Sequence, residues 1–119
     1  MLISNFLNLH NQIKIYHWQT TSYAEHQALG GAYDKLGELI DEFVEVYMGK
    51  YGRRFATEGF NFSLQNYSKE DVNEFLDQYD QYLSTELETE LEEMDTELKN
   101  IRDEMKAVLN HTKYLLTLA

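Results

Sequence analysis

The sequence predicts an all-α fold: a four-helix up-down-down-up bundle with a long crossover between the second and third helices. Three observations support this fold class. Apolar residues recur every three or four positions almost throughout, the chain has no proline, and one segment of 13 residues breaks the helical period. A length of 119 residues is typical of one domain, so residues 1–119 are expected to form a single bundle.

The first two helices are predicted over residues 2–20 and 23–51. The apolar stripe of the first helix has spacings of three or four: Leu2, Phe6, Leu9, Ile13 and Tyr16. Ser22 and Glu25 form a capping-box pattern, which predicts that the second helix begins directly after Ser22. Gly52, which follows a basic residue by two positions, is a plausible C-terminal signal.

Residues 55–67 are predicted to cross from one end of the bundle to the other. Phe60, Phe62 and Leu64 alternate with polar residues, which would suit a short strand, but the sequence offers no second strand to pair with it. Thirteen extended residues reach at most about 45 Å, enough to run the length of a long helix. We therefore expect an ordered crossover whose aromatic side chains pack against the bundle.

Ser68 and Asp71 form a second capping pattern, which is predicted to open the third helix. From there one apolar stripe continues to Val108. As a single helix it would run past ~65 Å at about 1.5 Å per residue, more than a small bundle can cover. The stripe must therefore fold back on itself.

Two positions for this break are open, one after Ser84 and one at Asp95. The break at Asp95 is preferred because aspartate is a good N-cap residue. It predicts helices over residues 69–93 and 96–117, matched in length to the first pair.

The net charge of −11 is concentrated in residues 68–105, which hold 14 acidic and 3 basic residues. The sequence has no basic stripe or tail, so electrostatics oppose unaided nucleic-acid binding. An acidic surface attracts cations, although a charge run of this kind also suits an ordinary solvated helix face.

Cysteine is absent, which excludes disulfides, thiolate metal sites and cysteine nucleophiles. This absence fits a reducing compartment. No apolar run approaches ~18 residues, and the N-terminal residues lack the pattern of a signal peptide. We therefore expect a cytoplasmic protein with no membrane partner.

Four side chains are the candidate metal ligands: His17, His26, Asp41 and Glu45. Asp41 and Glu45 are four residues apart, so they share a helix face about 6 Å apart. A carboxylate pair at this spacing can hold a cation, and histidine adds a preference for iron, manganese or zinc over calcium. The alternative is a hydrogen-bonded or solvated face with no metal.

The spacing along the second helix predicts a homodimer, either alone or as the unit of a higher homo-oligomer. His26 and Asp41 lie about 22 Å apart on a straight helix, so they cannot share a metal within one chain. They could do so across a two-fold axis that sets two copies of the second helix antiparallel. Gly30 and Gly37 fall on nearly the same stripe, where they either allow close approach of another helix or are merely tolerated.

The pattern of His17-Trp18, then His26, then Asp41 and Glu45 resembles the signature of the Dps-like branch, the mini-ferritins, of the ferritin-like superfamily. This resemblance implies a di-iron ferroxidase centre between two-fold-related subunits. His17 and His26 would come from one subunit, and Asp41 and Glu45 from the other.

The resemblance covers about residues 10–52 and departs from the family at Gly30, where the family carries an acidic ligand. Because a ligand is missing there, we expect at most one tightly held metal per site and slow Fe(II) oxidation at best. The chain also lacks the basic tail that would bind DNA.

Longer strings are similar to a ferritin-like family of tailed phages and giant viruses that has no established activity: Ile13-Lys-Ile-Tyr-His-Trp-Gln-Thr20, Phe43-Val-Glu-Val-Tyr47, Gly49-Lys-Tyr-Gly-Arg53 and Asn100-Ile-Arg-Asp-Glu104. This resemblance implies a ferritin-like fold and a viral or metagenomic source. A viral source would place the protein in the cytoplasm of the host cell. Two functions stay open. One is a metal-binding protein, with iron first and manganese or zinc as alternatives; the other is a non-catalytic helical homodimer with a structural or interaction role.

Overall fold

The first two helices of the protein form a hairpin. In the computed structural model, which describes residues 2–119, α1 spans Leu2–Gln19 and α2 spans Tyr23–Tyr51. The five apolar positions predicted for the first helix are all buried. The predicted ranges 2–20 and 23–51 are therefore confirmed to within one residue.

Only half of the predicted capping box forms at the start of α2. The hydroxyl of Ser22 accepts a hydrogen bond from the backbone N–H of Glu25 at 3.2 Å. The backbone N–H of Ser22 donates to the Thr20 hydroxyl at 3.2 Å rather than to the Glu25 carboxylate. Glu25 is only 7% exposed, so its side chain is buried in the bundle instead of reaching back to the cap.

The second half of the chain holds two long helices and one short helix. α3 spans Lys69–Ser84, α4 spans Glu86–Thr89 and α5 spans Thr96–Leu116. The start predicted for the last helix is confirmed, but the predicted helix over 69–93 is wrong. The chain breaks at both candidate positions, so the third long helix is shorter than expected.

Hydroxyl side chains lie at both ends of α3, but neither end is capped by one. Ser68 is the N-cap residue, and its hydroxyl donates to the Glu70 carboxylate at 3.1 Å instead of accepting from a backbone N–H of the helix, so the second capping pattern does not form. At the other end, the hydroxyls of Ser84 and Thr85 donate to the carbonyls of Asp80 and Gln81 at 3.0 and 2.7 Å. Such bonds compete with the helical ladder for the same carbonyls, which favours termination there.

The four long helices share one hydrophobic core. α2 packs against α1 and α5, and α3 packs against α5. α1 and α3 meet through aromatic rings, among them Phe6 and Tyr82 with centroids 6.4 Å apart. The fold class is thus confirmed as all-α with four packed helices. None of the helices described for residues 2–119 combines the length and apolar character that a membrane crossing requires.

Residues 52–68 connect α2 to α3 and contain no strand. This crossover lies along α1, where polar side chains bind its backbone. The Asn8 side chain accepts from the N–H of Ser63 at 3.3 Å. The Gln12 side chain donates to the carbonyl of Gln65 at 2.9 Å and accepts from its N–H at 2.7 Å. The crossover is therefore ordered without a partner strand, as the sequence predicts.

The apolar side chains of the crossover are less covered than expected. Phe60, Phe62 and Leu64 remain 43%, 41% and 40% exposed, and Phe55 is 81% exposed. The expectation that the aromatics pack against the bundle is wrong for Phe55 and only half met by the others. The backbone bonds from α1 fix the crossover, so burial of its side chains is not required.

A buried carboxylate joins the end of α2 to the start of α5. Asp95 is fully buried, pairs with the Lys50 ammonium, and accepts hydrogen bonds from the Tyr51 hydroxyl at 2.6 Å and the N–H of Glu92 at 2.8 Å. Lys50, followed by the other donors, lowers the pKa of Asp95 to about 2. The hydrogen bond from the Tyr51 hydroxyl to Asp95 raises the pKa of Tyr51 to about 12. Asp95 is the N-cap residue by position, but its side chain binds α2 instead of its own helix.

Candidate metal site

His17 and His26 stack on each other where α1 ends and α2 begins. Their ring centroids lie 3.8 Å apart and their planes differ by 15°. Nδ1 of His17 lies 2.7 Å from the carbonyl oxygen of His26, and Nδ1 of His26 lies 2.8 Å from the carbonyl oxygen of His17. Because a carbonyl oxygen only accepts, each neutral ring carries its proton on Nδ1. Each ring then keeps an unprotonated Nε2, which is available to a metal.

Asp41 and Glu45 form the second half of the predicted site. Both are exposed on α2, and no lysine, arginine or histidine within residues 2–119 forms an ion pair with either. A side-chain hydrogen bond to Asp41, followed by the charge of that carboxylate, raises the pKa of Glu45. Two carboxylates that raise a pKa in this way repel each other, and a cation between them would relieve that repulsion.

The two pairs do not meet within one chain. His26 and Asp41 are about 22 Å apart along α2 at a rise of about 1.5 Å per residue. Across residues 2–119, no group of three or more histidine or acidic side chains is close enough to hold a metal ion. The structure brings His17 to His26 and Asp41 to Glu45, and a site with all four ligands requires a second copy of the chain.

Gly30 and Gly37 make room for histidine rings of α1. A Cβ atom at position 30 would lie 2.9 Å from Cε1 of His17, and one at position 37 would lie 3.0 Å from Nε2 of His10. The sequence-based expectation placed a partner's helix over these glycines. In the structure α1 of the same chain occupies that space, so the glycines are explained without a dimer contact.

His10 repeats the geometry of His17 seven residues earlier, a relation not predicted from the sequence. Its ring stacks on Tyr33 with centroids 3.8 Å apart, and its Nε2 lies 2.9 Å from the Tyr33 carbonyl oxygen. In both cases a histidine ring of α1 packs on the aromatic ring of one α2 residue and bonds to the backbone carbonyl of that residue. The glycine four positions after that α2 residue leaves room for the histidine ring. The sequence contains this repeat as three pairs of residues seven positions apart: His10 and His17, His26 and Tyr33, Gly30 and Gly37.

We expect Gly31→Ala to stabilise the protein and Gly30→Ala to do so much less. A Cβ at position 31 meets open space, so alanine gains its helix propensity of about 1 kcal/mol. At position 30 alanine has the same helix propensity, but the cost of moving the His17 ring offsets much of that gain in stability. Urea unfolding measures the free energy of unfolding of both variants. Equal stabilisation would contradict the packing of His17 against position 30.

Comparisons with known proteins give a family and no activity. A family model described as a family of unknown function, DUF5856, matches residues 17–116. The chain is 42% identical over 40 residues to the "Uncharacterized 14.6 kDa protein in mobD-ri intergenic region" of Enterobacteria phage T4. That match covers 34% of this chain and 31% of the phage protein, so the chain spans about a third of the length of this relative. No solved structure matches the chain. The expected likeness to a phage protein is confirmed, and the ferritin resemblance stays a prediction.

Proposed function

We propose that this chain, which belongs to the family of unknown function DUF5856, is a ferritin-like homodimer that binds Fe(II) between its subunits and oxidises it slowly. His17 and His26 of one subunit and Asp41 and Glu45 of the other would be the ligands. Manganese and zinc are the alternative metals. The observation that carries the proposal is the reciprocal bonding of the two histidines, since it leaves both Nε2 atoms unprotonated.

A ferritin-like, up-down-down-up arrangement of the four long helices is part of this proposal. In support of it, Phe75 near the start of α3 meets Tyr16 near the end of α1, with centroids 5.6 Å apart. Further along α3, the hydroxyl of Tyr79 donates to the carbonyl of Asn5 near the start of α1. α3 then runs opposite to α1, as α2 does, and α5 starts at Asp95 beside the end of α2.

Exposed aromatic side chains beside the histidine pair support a subunit interface there. Trp18 is 65% exposed and Tyr23 is 75% exposed, and the Tyr23 ring lies 6.3 Å from that of His26. Large exposed aromatics are enriched where protein surfaces associate. A two-fold axis that sets α2 antiparallel to its mate would bring each histidine pair to the other subunit's carboxylate pair, giving two equivalent sites.

The chemistry of such a site follows from its ligands. Two imidazole nitrogens and two carboxylates suit one divalent transition-metal ion with positions left for water. The carbonyl oxygens of His17 and His26 fix the ring orientations and leave Nε2 as the coordinating atom of each ring. The space at Gly30 holds the His17 ring, so no acidic side chain is available there for a second metal. Binding should weaken below about pH 6, because protons then compete for the imidazole nitrogens.

Anaerobic calorimetric titration with Fe(II), and with Mn(II) and Zn(II) in parallel, tests this function. We expect His26→Ala and Asp41→Ala each to weaken the tight site by about 100-fold or more, since loss of outer-shell partners alone costs about 10–100-fold. Matched controls are His111→Ala and Glu104→Ala, exposed residues of α5 outside the site, which should leave affinity unchanged. Aerobic Fe(II) oxidation by the same variants then measures the slow activity.

A structural role is the second candidate, and one observation favours it. The stacked rings and reciprocal hydrogen bonds of His17 and His26 tie the end of α1 to the start of α2 with no metal required. A helical dimer that serves interaction alone would use the histidines only in this way. It predicts unchanged metal affinity in both His26→Ala and Asp41→Ala, with lower stability in His26→Ala only.

A further inference from the structure

A cavity of about 330 Å³ opens between α1, the crossover and the first half of α3. None of the four proposed metal ligands lines it. Its volume lies at the lower end of the range for small-molecule sites, about 300–1,000 Å³. Gln12 in its wall is 2% exposed and uses its amide in the two bonds to the backbone of Gln65. The wall between α1 and the crossover is therefore fixed before any ligand arrives.

Tyr16 is the unexplained group in this cavity. Its side chain is 98% buried, with 2% exposed, and its ring packs edge to face on Phe75. The hydroxyl has no hydrogen-bond partner among residues 2–119 and is not one of the fully enclosed polar atoms, so it reaches the open cavity. Burial, and then the charge of Asp71, raise the pKa of Tyr16.

Two carboxylates give the cavity a negative charge. Asp71 and Glu74 stand three residues apart in the first turns of α3, on the same side of the helix. Neither forms an ion pair within residues 2–119, and no lysine, arginine or histidine lines the cavity. Phe75 adds an apolar ring beside them.

This combination suits an organic cation better than a metal ion. A primary ammonium group can donate to both carboxylates and to the Tyr16 oxygen, which are charge-assisted hydrogen bonds for the carboxylates. The Phe75 ring can attract the positive charge and cover an aliphatic chain. A hydrated metal ion would bind the carboxylates, but the apolar ring of Phe75 offers it no ligand.

We infer that this cavity binds a small aliphatic amine, with Asp71 and Glu74 pairing with its ammonium group, Tyr16 accepting a hydrogen bond and Phe75 covering its methylene groups. The site is separate from the proposed metal site and does not depend on it or on a second subunit.

Calorimetric titration of the full chain with 1,4-diaminobutane tests the inference. We expect binding of the diamine and none of 1,4-butanediol, which has the same length without charge. Asp71→Asn/Glu74→Gln should abolish binding. The matched control Asp34→Asn/Glu38→Gln removes two exposed carboxylates from α2 and should leave binding intact.

Tyr16→Phe separates a specific site from general attraction to an acidic surface. It removes only the hydroxyl that has no partner, so the fold should be kept, and diamine affinity should fall about 5–10-fold for the loss of one hydrogen bond. Unchanged affinity in Tyr16→Phe, or no diamine binding at millimolar concentration, would overturn the inference. So would Mg²⁺ binding as tightly as the diamine with the same dependence on Asp71 and Glu74, because that would indicate an inorganic cation site.

Discussion

Replacing Asp95 with alanine should lower the midpoint of thermal unfolding by about 10 °C. The change removes a fully buried carboxylate and leaves the Tyr51 hydroxyl and the N–H of Glu92 without their acceptor. Buried donors that lose an acceptor are costly, and hydrogen bonds to charged groups are the stronger ones. The end of α2 would then be held to α5 only by apolar contacts and the exposed ion pair of Lys50 with Glu97. Differential scanning calorimetry measures the effect.

Glu97→Ala is the matched control for this prediction. Glu97 also binds the Lys50 ammonium, at 2.9 Å, but its side chain is 51% exposed. Exposed ion pairs contribute little to stability, so we expect a shift of the midpoint within about 2 °C. Similar shifts in both variants would show that the total charge around Lys50 matters and that burial of Asp95 does not.

The same carboxylate predicts a particular loss of stability in acid. The pKa of Asp95 is about 2 in the folded protein and 3.8 ordinarily. The ionised form therefore stabilises the fold fully above about pH 4, and this contribution disappears as the pH falls through about 2. Asp95→Asn keeps the shape of the side chain and cannot titrate. Its stability should vary less than that of the wild type between these pH values, as urea unfolding at each pH would reveal.

The helices could be predicted from sequence to different degrees, for reasons visible in particular residues. Buried stripes of period three to four defined α1 and α2, and the start of α5 followed from Asp95. The break after Ser84 was left open but not preferred, because the stripe continues past it through Leu87 in α4 to Leu91, and both are still buried. The hydroxyls of Ser84 and Thr85 bind carbonyls of the preceding turn, which weakens a helix locally, and hydrophobic periodicity contains no trace of these bonds.

The candidate site was predictable as two pairs and no further. Spacing of four brought Asp41 to Glu45, and the turn between α1 and α2 brought His17 to His26. The role of Gly30 needed coordinates, because it depends on which ring lies over the helix at that point. The environment of the Tyr16 hydroxyl could not be predicted either, since a tyrosine on an apolar stripe indicates core packing whatever its oxygen meets.

Mixed dimers should recover metal binding that neither parent variant has. If each site takes histidines from one subunit and carboxylates from the other, a dimer of His26→Ala with Asp41→Ala has one site with both defects and one intact site. When equal amounts are refolded together, random pairing makes half of the dimers mixed, so about a quarter of the wild-type metal should bind. Each variant refolded alone should bind none at that affinity.

A second mixture supplies the matched control. His17→Ala and His26→Ala both affect the histidine half of the site, so every site in their mixed dimer lacks one imidazole. We therefore expect no recovery from that pair, although both mixtures contain two altered chains. Calorimetric titration with Zn(II), which avoids oxidation during refolding, measures the number of intact sites. Recovery of about a quarter in the first mixture only is the pattern of a site shared across a two-fold axis. Recovery in neither mixture would contradict shared ligation, because independent sites within each chain cannot complement one another.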